Sequence, residues 1–556
     1  MTTRTGGQSV VDCLLQQGVT DVFCVPGESY LAVLDALHDA DVRVTVCRQE
    51  GGAAIMAEAQ GKLTGLPGIC MVTRGPGATN ASAGVHIAMQ DSTPMILFVG
   101  QIETSMRERE AFQELDYRAV FGTMSKWVTE IDHADRIPEV ISRAFHVATS
   151  GRPGPVVIAL PEDVLTDVTP ALPAPAMRAA DAAPSAAALA ELADRLNAAT
   201  RPLIIVGGSG WDAEAVAQVQ DFASRFACPV AASFRRQDRF DPEHPHYIGD
   251  LGPGANPKLV DYVHRSDLVL LLGGRLSEMP SQSYTLLGIP KPAQTLIHVH
   301  PGAEELGRVY RPDLAFNVTP RAFLNAVAGL SGTTPRADLI AEGHTLFGDW
   351  SDAPTTVPGA FNMGQVMCAL RDELPADAII CNGAGNYAIW VHRYHRYRRF
   401  GTQLAPTSGS MGYGVPAAVA AKRSMPEKTV VAFAGDGCFL MTGQEFATAV
   451  QYDLPIIVVV VDNGMYGTIR MHQERDYPGR VSATTLCNPD FADMARAFGG
   501  HGERIEATAD FLPALRRAVA SGKPAILHCL TDPDALTPGR SLSQIRAAGL
   551  AAKSGP

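Results

Sequence analysis

The feature that most constrains this 556-residue chain is a regular alternation of short β-branched runs with helical patterns, interrupted by two linker-like stretches. The first stretch, 166–185, is rich in Pro and Ala, and the second, 330–359, is rich in Gly, Pro, Thr and Asp. Strands that alternate with helices favour parallel sheets covered by helices. We therefore predict an α/β fold of three doubly wound parallel-sheet domains. Their predicted bounds are 1–165, 186–330 and 360–535, with a C-terminal tail at 536–556.

The first and third blocks repeat one local plan. In the first, ICMVT is followed by GPG, a helical stretch, a proline and MILFVG (69–100). In the third, TVVAFA is followed by GDG, a helical stretch, a proline and IIVVVV (429–461). The first glycine lies 19 positions before the proline in one block and 20 in the other. This match indicates duplicated domains that flank a different middle domain, although any doubly wound sheet repeats such units.

Composition excludes several classes of partner. The net charge of −12 gives no electrostatic footprint for nucleic acid or an anionic membrane. The N-terminus has no apolar signal-peptide core, and the longest apolar run, 454–461, is far shorter than the ~20 residues that span a bilayer. The ten cysteines form no paired framework, so reduced thiols are expected. These features predict a cytoplasmic protein with no nucleic-acid or membrane partner.

The most informative constellation for chemistry is Gly435-Asp436-Gly437, with Asn463 27 positions after Asp436. A βαβ unit of ~30 residues returns the chain to the same sheet edge, so the carboxylate and the amide oxygen should meet there. Mg²⁺ prefers hard oxygen ligands shared between one or two protein groups, phosphates and water. Glycines let backbone amides approach phosphate oxygens. A lone GDG is also a common turn, but in this context it predicts a diphosphate held by magnesium.

From Gly435 to Asn463 the pattern GDG(x24)DN resembles the signature of thiamine-diphosphate enzymes. Nearly the whole chain resembles the superfamily of acetolactate synthases and 2-oxo-acid decarboxylases. The resemblance implies pyrimidine-binding, central and diphosphate-binding domains, in that order. It implies that Asp436, Asn463 and the backbone carbonyl of Met465 are ligands of Mg²⁺. It also implies a homodimer or homotetramer with shared active sites, because in this superfamily the catalytic Glu of one subunit faces the diphosphate domain of another.

Glu50 is the candidate for activating the cofactor. A Glu that hydrogen-bonds the aminopyrimidine pushes that ring to its imino form, which then removes the thiazolium proton. Glu50 follows the strand-like VRVTV (42–46) and precedes small residues that permit close approach to a flat ring. The helix dipole alone also favours a Glu at a helix N-terminus. However, RQEGGAAIMAEAQGKLTG (48–65) resembles the family's catalytic-Glu segment, so we predict that Glu50 activates the cofactor.

Other segments resemble family positions that hold the cofactor. Met411, in SGSMG, matches the apolar residue that wedges under the cofactor and enforces its bent conformation. Asn386 and Tyr387 stand where Gln-His is common in the family. The resemblance implies the following cofactor-binding residues: Pro26, Gly27, Glu50, Asn80, Gly385, Asn386, Gly409, Met411, Gly435, Asp436, Gly437, Cys438, Asn463 and Met465.

The substrate is less constrained. The segments AFQE and SKW look like acetolactate synthase, where residues matching Phe112, Gln113 and Lys126 line the substrate entrance. Gln113 could donate a hydrogen bond to substrate, and Lys126 could attract a carboxylate, although a solvated surface Lys is the alternative. His472 stands where the family's acceptor-pocket Trp is expected, and Met279 lies near the position of an Arg that pairs with the second substrate. The donor half-reaction survives both changes, whereas the acceptor is left open.

The middle block places PLIIV (202–206) before GGSG and resembles the family's flavin- or ADP-binding central domain. The dinucleotide fingerprint is incomplete, and His300 stands where an acidic residue is usual, so we do not favour FAD. The pairs His244/His246 and His298/His300 lack a third ligand, which favours ordinary core histidines over a metal site.

We predict decarboxylation of a pyruvate-like 2-oxo acid and ligation of the product to an acceptor carbonyl, with the thiazolium as electron sink. Simple 2-oxo-acid decarboxylation or another C–C lyase reaction is the close alternative. A flavin-linked 2-oxo-acid oxidase and a non-catalytic homologue are more remote. The intact Glu50, Asp436 and Asn463 argue against the non-catalytic homologue.

Overall fold

A computed structural model of the chain describes residues 3–554. Within that range the strands form three six-stranded parallel sheets and one two-stranded antiparallel sheet. Helices connect and cover the strands of each parallel sheet. The predicted fold class, three α/β parallel sheets in succession, is therefore confirmed.

The first sheet and the short antiparallel pair occupy the N-terminal region. Their strands are β1 (Arg4–Thr5), β2 (Asp21–Cys24), β3 (Arg43–Val46), β4 (Gly68–Val72), β5 (Met95–Gln101), β6 (Trp127–Glu130), β7 (Pro155–Pro161) and β8 (Val168–Thr169). The helices are α1 (Gly6–Gln16), α2 (Leu31–His38), α3 (Glu50–Thr64), α4 (Pro76–Asp91), α5 (Tyr117–Phe121), α6 (Ile137–Thr149) and α7 (Glu162–Thr166). The sheet order is β3-β2-β4-β5-β7-β6, and β1 pairs with β8.

The second sheet occupies the middle of the chain. Its strands are β9 (Pro202–Val206), β10 (Val230–Ala232), β11 (Tyr247–Asp250), β12 (Leu268–Leu272), β13 (Thr295–Val299) and β14 (Leu314–Phe316). Its helices are α8 (Ala186–Ala198), α9 (Ala213–Arg225), α10 (Pro257–His264), α11 (Pro320–Ala326) and α12 (Ala337–Ser351). The strand order is β11-β10-β9-β12-β13-β14.

The third sheet lies toward the C-terminus. Its strands are β15 (Ile379–Asn382), β16 (Gln403–Leu404), β17 (Val430–Gly435), β18 (Ile457–Asp462), β19 (His501–Ile505) and β20 (Ala525–Leu530). The helices are α13 (Met363–Glu373), α14 (Tyr387–Tyr394), α15 (Gly414–Ser424), α16 (Asp436–Phe439), α17 (Glu445–Gln451), α18 (Gly467–Asp476), α19 (Phe491–Ala497), α20 (Thr508–Ala520) and α21 (Leu542–Ser554). The strand order is β16-β15-β17-β18-β20-β19.

Strand order separates the outer sheets from the middle one. When the strands of each sheet are numbered by their order in the chain, both outer sheets run 2-1-3-4-6-5, whereas the middle sheet runs 3-2-1-4-5-6. A shared six-strand order is a stronger match than one repeated strand–helix–strand unit. It supports the predicted duplication of the outer domains. The order of the middle sheet is the one common among dinucleotide-binding folds.

Two helices near the predicted pyrimidine pocket have clear local causes. The side chain of Gln49 caps the start of α3 by accepting a hydrogen bond from the Gly52 amide, and α3 ends at Gly65 in the left-handed region (φ 72°). The second helix, α4, begins after Gly75, whose φ of 60° favours glycine, and Pro76 occupies its first turn.

The second predicted linker is wrong in part, because 337–351 forms α12. Its apolar residues Leu339 and Phe347 are buried, and Phe347 packs edge-on against Tyr247 of β11. Spaced apolar residues among Gly, Asp and Thr therefore produce an amphipathic helix instead of a linker. The predicted tail likewise contains α21, up to the limit of the described residues.

The chain divides into two compact units. The first comprises 1–180 together with 415–426 and 442–454, and the second comprises 181–414, 427–441 and 455–556. Each six-stranded sheet falls inside one of the three predicted ranges, but the predicted domain bounds themselves stay a prediction. Among the described residues, no helix is both long enough and apolar enough to span a bilayer.

Candidate active site

A cavity of about 270 Å³ lies in the second unit, where β15, β17 and β18 reach their carboxyl ends. Open α/β sheets bind ligands at this edge. The cavity brings together the residues predicted from the C-terminal third of the sequence: Gly385, Asn386, Gly409, Met411, Gly435, Asp436, Gly437, Cys438, Asn463 and Met465. Four loops separated by up to 80 positions therefore converge on one space.

The metal-ligand candidates occupy neighbouring strand ends. Asp436 is the first residue of α16, directly after β17, and Asn463 directly follows β18. The register pairs Gly435 with Val461, so the two turns begin side by side. Asn463 Oδ1 accepts a hydrogen bond from the Met465 amide at 3.3 Å, which bends the loop that carries the Met465 carbonyl.

Asn488, which the sequence argument missed, holds Asp436 in place. Its Nδ2 donates to Asp436 Oδ2 at 2.8 Å and to Asp462 Oδ1 at 2.9 Å. Asp462 Oδ2 in turn contacts His528 Nε2 at 2.9 Å. No local motif announces Asn488, because its partners lie 52 and 26 positions earlier in the chain.

The pKa values of the neighbouring carboxyls Asp436 and Asp462 are shifted in opposite directions. Burial, with Asp462 close by, raises the pKa of Asp436 to about 6. Burial acts in the same direction on Asp462, but hydrogen bonds from His528, Gly464 and Asn488 bring its pKa below the ordinary value. Asp436 is therefore a buried carboxyl that forms no ion pair with a cationic side chain among residues 3–554, as expected for a ligand of a bound cation.

The donor set fits Mg²⁺ bound together with a diphosphate. Asp436, Asn463 and the Met465 carbonyl supply hard oxygens, which Mg²⁺ prefers. Among residues 3–554, no group of three or more His, Cys, Asp or Glu is arranged to hold a metal by itself. A cation at Asp436 would therefore have to complete its coordination with ligand oxygens and water.

The two departures from the family pattern are anchored inside the cavity. Asn386 Oδ1 accepts from the Thr468 hydroxyl at 2.8 Å, which ties the loop before α14 to the start of α18. The Tyr387 hydroxyl lies 3.3 Å from Cys438 Sγ, and that sulfur also accepts from the Gly412 amide at 3.2 Å. Thr468, like the lining residues Phe361 and Trp390, was not predicted from sequence.

Glu50 and the other predicted pyrimidine-pocket residues meet in the first unit. Glu50 opens α3, and its Oε2 accepts from Asn80 Nδ2 of α4 at 3.0 Å. A Cβ on Gly77 would lie 3.4 Å from Glu50 Oε1 and would press on Thr73, as would a Cβ on Gly27. Thr73, which was not predicted, thus joins the Pro26-Gly27 loop to the α4 turn.

The AFQE segment packs against the same turn. Gln113 has a φ of 65°, and a Cβ on Gly75 would lie 2.7 Å from the Gln113 Cβ. The Phe112 carbonyl accepts from Arg74 Nε at 3.1 Å, whereas the Phe112 side chain is 72% exposed. The structure therefore places Gln113 beside the predicted pyrimidine pocket, with Phe112 on the surface.

The remaining substrate candidates lie elsewhere. The ammonium of Lys126 donates to the Val147 and Ser150 carbonyls at the end of α6, where a cation also complements the helix dipole. His472 lies half-buried on α18, which contributes Gly467, Thr468 and Ile469 to the described lining of the cavity. The substrate roles of both residues stay predictions, and the Lys126 contacts indicate a structural role.

In the middle sheet, the residues considered as candidates for binding flavin or metal make contacts within the protein. Trp211 Nε1 donates to the Gly207 carbonyl at 2.8 Å, and His298 Nε2 lies 2.9 Å from the Gly274 carbonyl. Burial lowers the pKa of His300 to about 4, so its ring is neutral near pH 7. These contacts suit the core-histidine interpretation, and the view that disfavours FAD stays a prediction.

Three family matches follow the chain in order. Residues 4–120 match the thiamine pyrophosphate enzyme N-terminal TPP binding domain. Residues 189–327 match the central domain of these enzymes, and residues 383–529 match their C-terminal TPP binding domain. The fold, with one group of site residues around Asp436 and another around Glu50, therefore defines the class of thiamine-diphosphate enzymes.

Similar proteins show which group of thiamine-diphosphate enzymes this chain resembles. The chain is 30% identical to acetolactate synthase isozyme 2 large subunit of Escherichia coli, over 95% of both chains. It is 32% identical to the acetolactate synthase large subunit of Parasynechococcus marenigrum, over 90% of this chain and 84% of that protein. It is 28% identical to an acetolactate synthase of Bacillus subtilis, over 95% and 93%. The chain belongs to the acetolactate synthase/2-oxo-acid decarboxylase superfamily of thiamine-diphosphate enzymes, so the predicted family is confirmed.

Proposed function

We propose that this enzyme decarboxylates a pyruvate-like 2-oxo acid on thiamine diphosphate and Mg²⁺, and ligates the product to an acceptor carbonyl. The observation that carries the proposal is the cavity at the ends of β15, β17 and β18, where Asp436 and Asn463 lie side by side. The names of the relatives, all acetolactate synthases, favour ligation over simple release of an aldehyde.

The residues divide the work of holding the cofactor. Asp436, Asn463 and the Met465 carbonyl would hold Mg²⁺, and the glycine turns at 385 and 435–437 would let backbone approach the diphosphate. Met411 lines the same cavity and would contact the bound cofactor. When bound, thiamine diphosphate supplies the electron sink for loss of CO2.

Glu50 takes part in proton movement at the pyrimidine end. When protonated, its carboxyl group would donate to the ring nitrogen, and when ionised it would accept from it, while Asn80 donates to the other carboxyl oxygen, Oε2. Gly77, at which a Cβ would lie 3.4 Å from Glu50 Oε1, keeps side-chain atoms away from that oxygen. Glu50 of one subunit serves the cavity of another, so the smallest active unit is a homodimer, and a tetramer is a dimer of such pairs.

A proton NMR time course tests the reaction. Purified protein is mixed with pyruvate, thiamine diphosphate and Mg²⁺, with cofactor-free enzyme and Asp436→Asn as controls. Appearance of acetolactate is the expected result. Acetaldehyde in its place would establish the simple decarboxylase, and a protein that consumed no 2-oxo acid of any chain length would overturn the proposal.

A further inference from the structure

The segment that leads into Glu50 is held by a helix from far along the chain. Within the first unit, α17 lies against residues 46–49, between the end of β3 and the start of α3. The side chain of Glu445, the first residue of α17, accepts hydrogen bonds from two consecutive backbone amides. Arg48 N–H donates to Glu445 Oε1 at 3.0 Å and Oε2 at 3.2 Å, and Gln49 N–H donates to Oε1 at 3.0 Å.

Glu445 is fully buried, and its carboxylate is nearly saturated with donors. The Thr448 hydroxyl, one turn later on α17, donates to Oε2 at 2.6 Å. Burial raises the pKa of Glu445, while the hydroxyl and the two amides act in the opposite direction. A buried carboxyl is expensive unless every oxygen is paired, so this one persists only while the Arg48 and Gln49 amides keep their positions.

Two residues at the end of α17 also hold the 46–49 segment. The Tyr452 hydroxyl accepts from the Val46 amide at 2.8 Å, and Gln451 Oε1 accepts from Arg48 Nη2 at 2.6 Å. The helix start also fits closely, because a Cβ on Gly52 would lie 2.5 Å from Glu445 Oε1. Backbone and side chain are thus fixed on both sides of the residue that opens α3.

We propose that Glu445 is a positioning residue for Glu50: it locks the two amides that precede Glu50 and thereby sets the direction of the Glu50 carboxylate. The inference rests on the proposed role of Glu50 and deepens it. A misplacement of about 1 Å in a catalytic group can cost on the order of 100-fold in rate. Loosening the 46–49 segment should therefore slow the proton step without removing any group that touches the cofactor.

The test measures hydrogen–deuterium exchange at the thiazolium carbon of bound thiamine diphosphate, by quench and proton NMR. This exchange reports cofactor activation before any substrate binds. In Glu445→Gln, one carboxylate oxygen becomes an NH₂ group that faces backbone N–H or the Thr448 hydroxyl. We expect exchange to slow by at least ~10-fold, with the Kd for the cofactor changed by less than about threefold.

Glu58→Gln is the matched control. Glu58 is also fully buried, lies on the same α3, and accepts from the Thr93 hydroxyl at 2.7 Å, away from the 46–49 segment. We expect this variant to lower the unfolding midpoint while exchange stays at the wild-type rate. If both variants slow exchange equally, loss of a buried carboxylate is the common cause and the proposal is wrong.

Two further variants keep the outcome decisive. If Glu445→Gln does not fold, Thr448→Val combined with Tyr452→Phe removes one hydrogen bond to Glu445 and one from the Val46 amide, and must slow exchange; wild-type exchange in that variant overturns the inference. Glu50→Gln is measured in parallel. Wild-type exchange in Glu50→Gln would refute the role of Glu50 itself, whereas slow exchange there with wild-type exchange in Glu445→Gln would refute only the positioning role.

Discussion

At the scale of single residues, the proposed chemistry depends on two carboxyls that are held in different ways. Glu50 is half-buried and shares one side-chain hydrogen bond with Asn80, which leaves its other oxygen for the cofactor. Asp436 is buried and pinned by Asn488. Each residue therefore has a partner that orients it and an oxygen that is left to act on a ligand.

Replacing Glu50 with Gln should preserve binding of the cofactor and reduce turnover. Gln is nearly isosteric but cannot exchange a proton with the aminopyrimidine, and general acid–base contributions are about 10²–10⁴-fold. We expect kcat to fall by at least ~100-fold while isothermal titration still detects thiamine diphosphate with Mg²⁺. Turnover within threefold of wild type would refute the assignment.

Replacing Asn488 with Ala should weaken binding of Mg²⁺ with the diphosphate. The substitution removes the amide that donates to both Asp436 and Asp462, so the two carboxyls would lose the group that bridges them. Loss of a group that orients a metal ligand typically costs about 10–100-fold in metal affinity. A Mg²⁺ titration of activity at saturating cofactor measures the shift, and excess Mg²⁺ should restore most of kcat. An unchanged midpoint would contradict the role of Asn488.

At the scale of secondary-structure elements, the buried side chain of Glu474 holds the C-terminal helix α21 against α18. Glu474, on α18, accepts from Arg470 of the same helix, from Arg546 of α21 and from the Gly479 amide. The hydrogen bond from Arg546 is the largest cause that lowers the pKa of Glu474 to about 2. Docking of α21 on α18 therefore depends on a carboxylate.

The sign of the pH effect follows from that shift. Because the folded-state pKa lies below its ordinary value near 4.5, the Glu474 contribution is complete above about pH 4.5 and disappears as pH falls toward 2. Glu474→Gln should lower the free energy of unfolding of the α21 contact by on the order of 2 kcal/mol at pH 7. Amide exchange of residues 542–554 should show this difference between wild type and Glu474→Gln at pH 7, and the difference should become smaller at pH 3. A difference that did not depend on pH would exclude the ionic contribution.

Elements that depend on neighbouring residues in the sequence could be predicted, whereas contacts between distant residues could not. The runs VRVTV and PLIIV are short and rich in β-branched residues, and they form β3 (43–46) and β9 (202–206). The helical stretch predicted between GDG and the following proline contains α17 at 445–451, because the chain forms turns over the residues just before it. By contrast, Thr73, Glu445 and Asn488 act through partners far away in the chain, and no spacing rule announces such pairs. The family signature predicts ligands of the cofactor, but it does not indicate the residues that contact and orient them.

At the scale of the whole molecule, the two outer sheets have one strand order and carry the two halves of the proposed site. The first sheet carries Glu50 after β3, and the third carries Asp436 after β17. The proposal therefore assigns a different chemistry to each of two sheets with the same strand order, in both cases at the carboxyl ends of the strands. A two-fold assembly in which each copy lends one half to the other would use both.

Mixing two inactive variants tests that assembly. If Glu50 of one subunit serves the cavity of another, a hybrid of Glu50→Gln and Asp436→Asn subunits contains one intact site. Random reassortment should then restore about a quarter of wild-type activity from two inactive parents. Each parent mixed with itself is the control. Hybrids that form but remain inactive would place both halves of the site in one subunit.

The path of the chain through its two compact units has a practical consequence for anyone who wishes to cut or recombine it. Within the described residues the chain passes between the units five times, and the segments 415–426 and 442–454 belong to the first unit although they lie late in the sequence. An expression fragment ending near 180 would leave the Arg48 and Gln49 amides without the Glu445 carboxylate and expose that face of α3 to water. Shuffling between relatives should therefore exchange α3 and α17 as a matched pair, since a chimaera that respects the visible linkers alone would separate them.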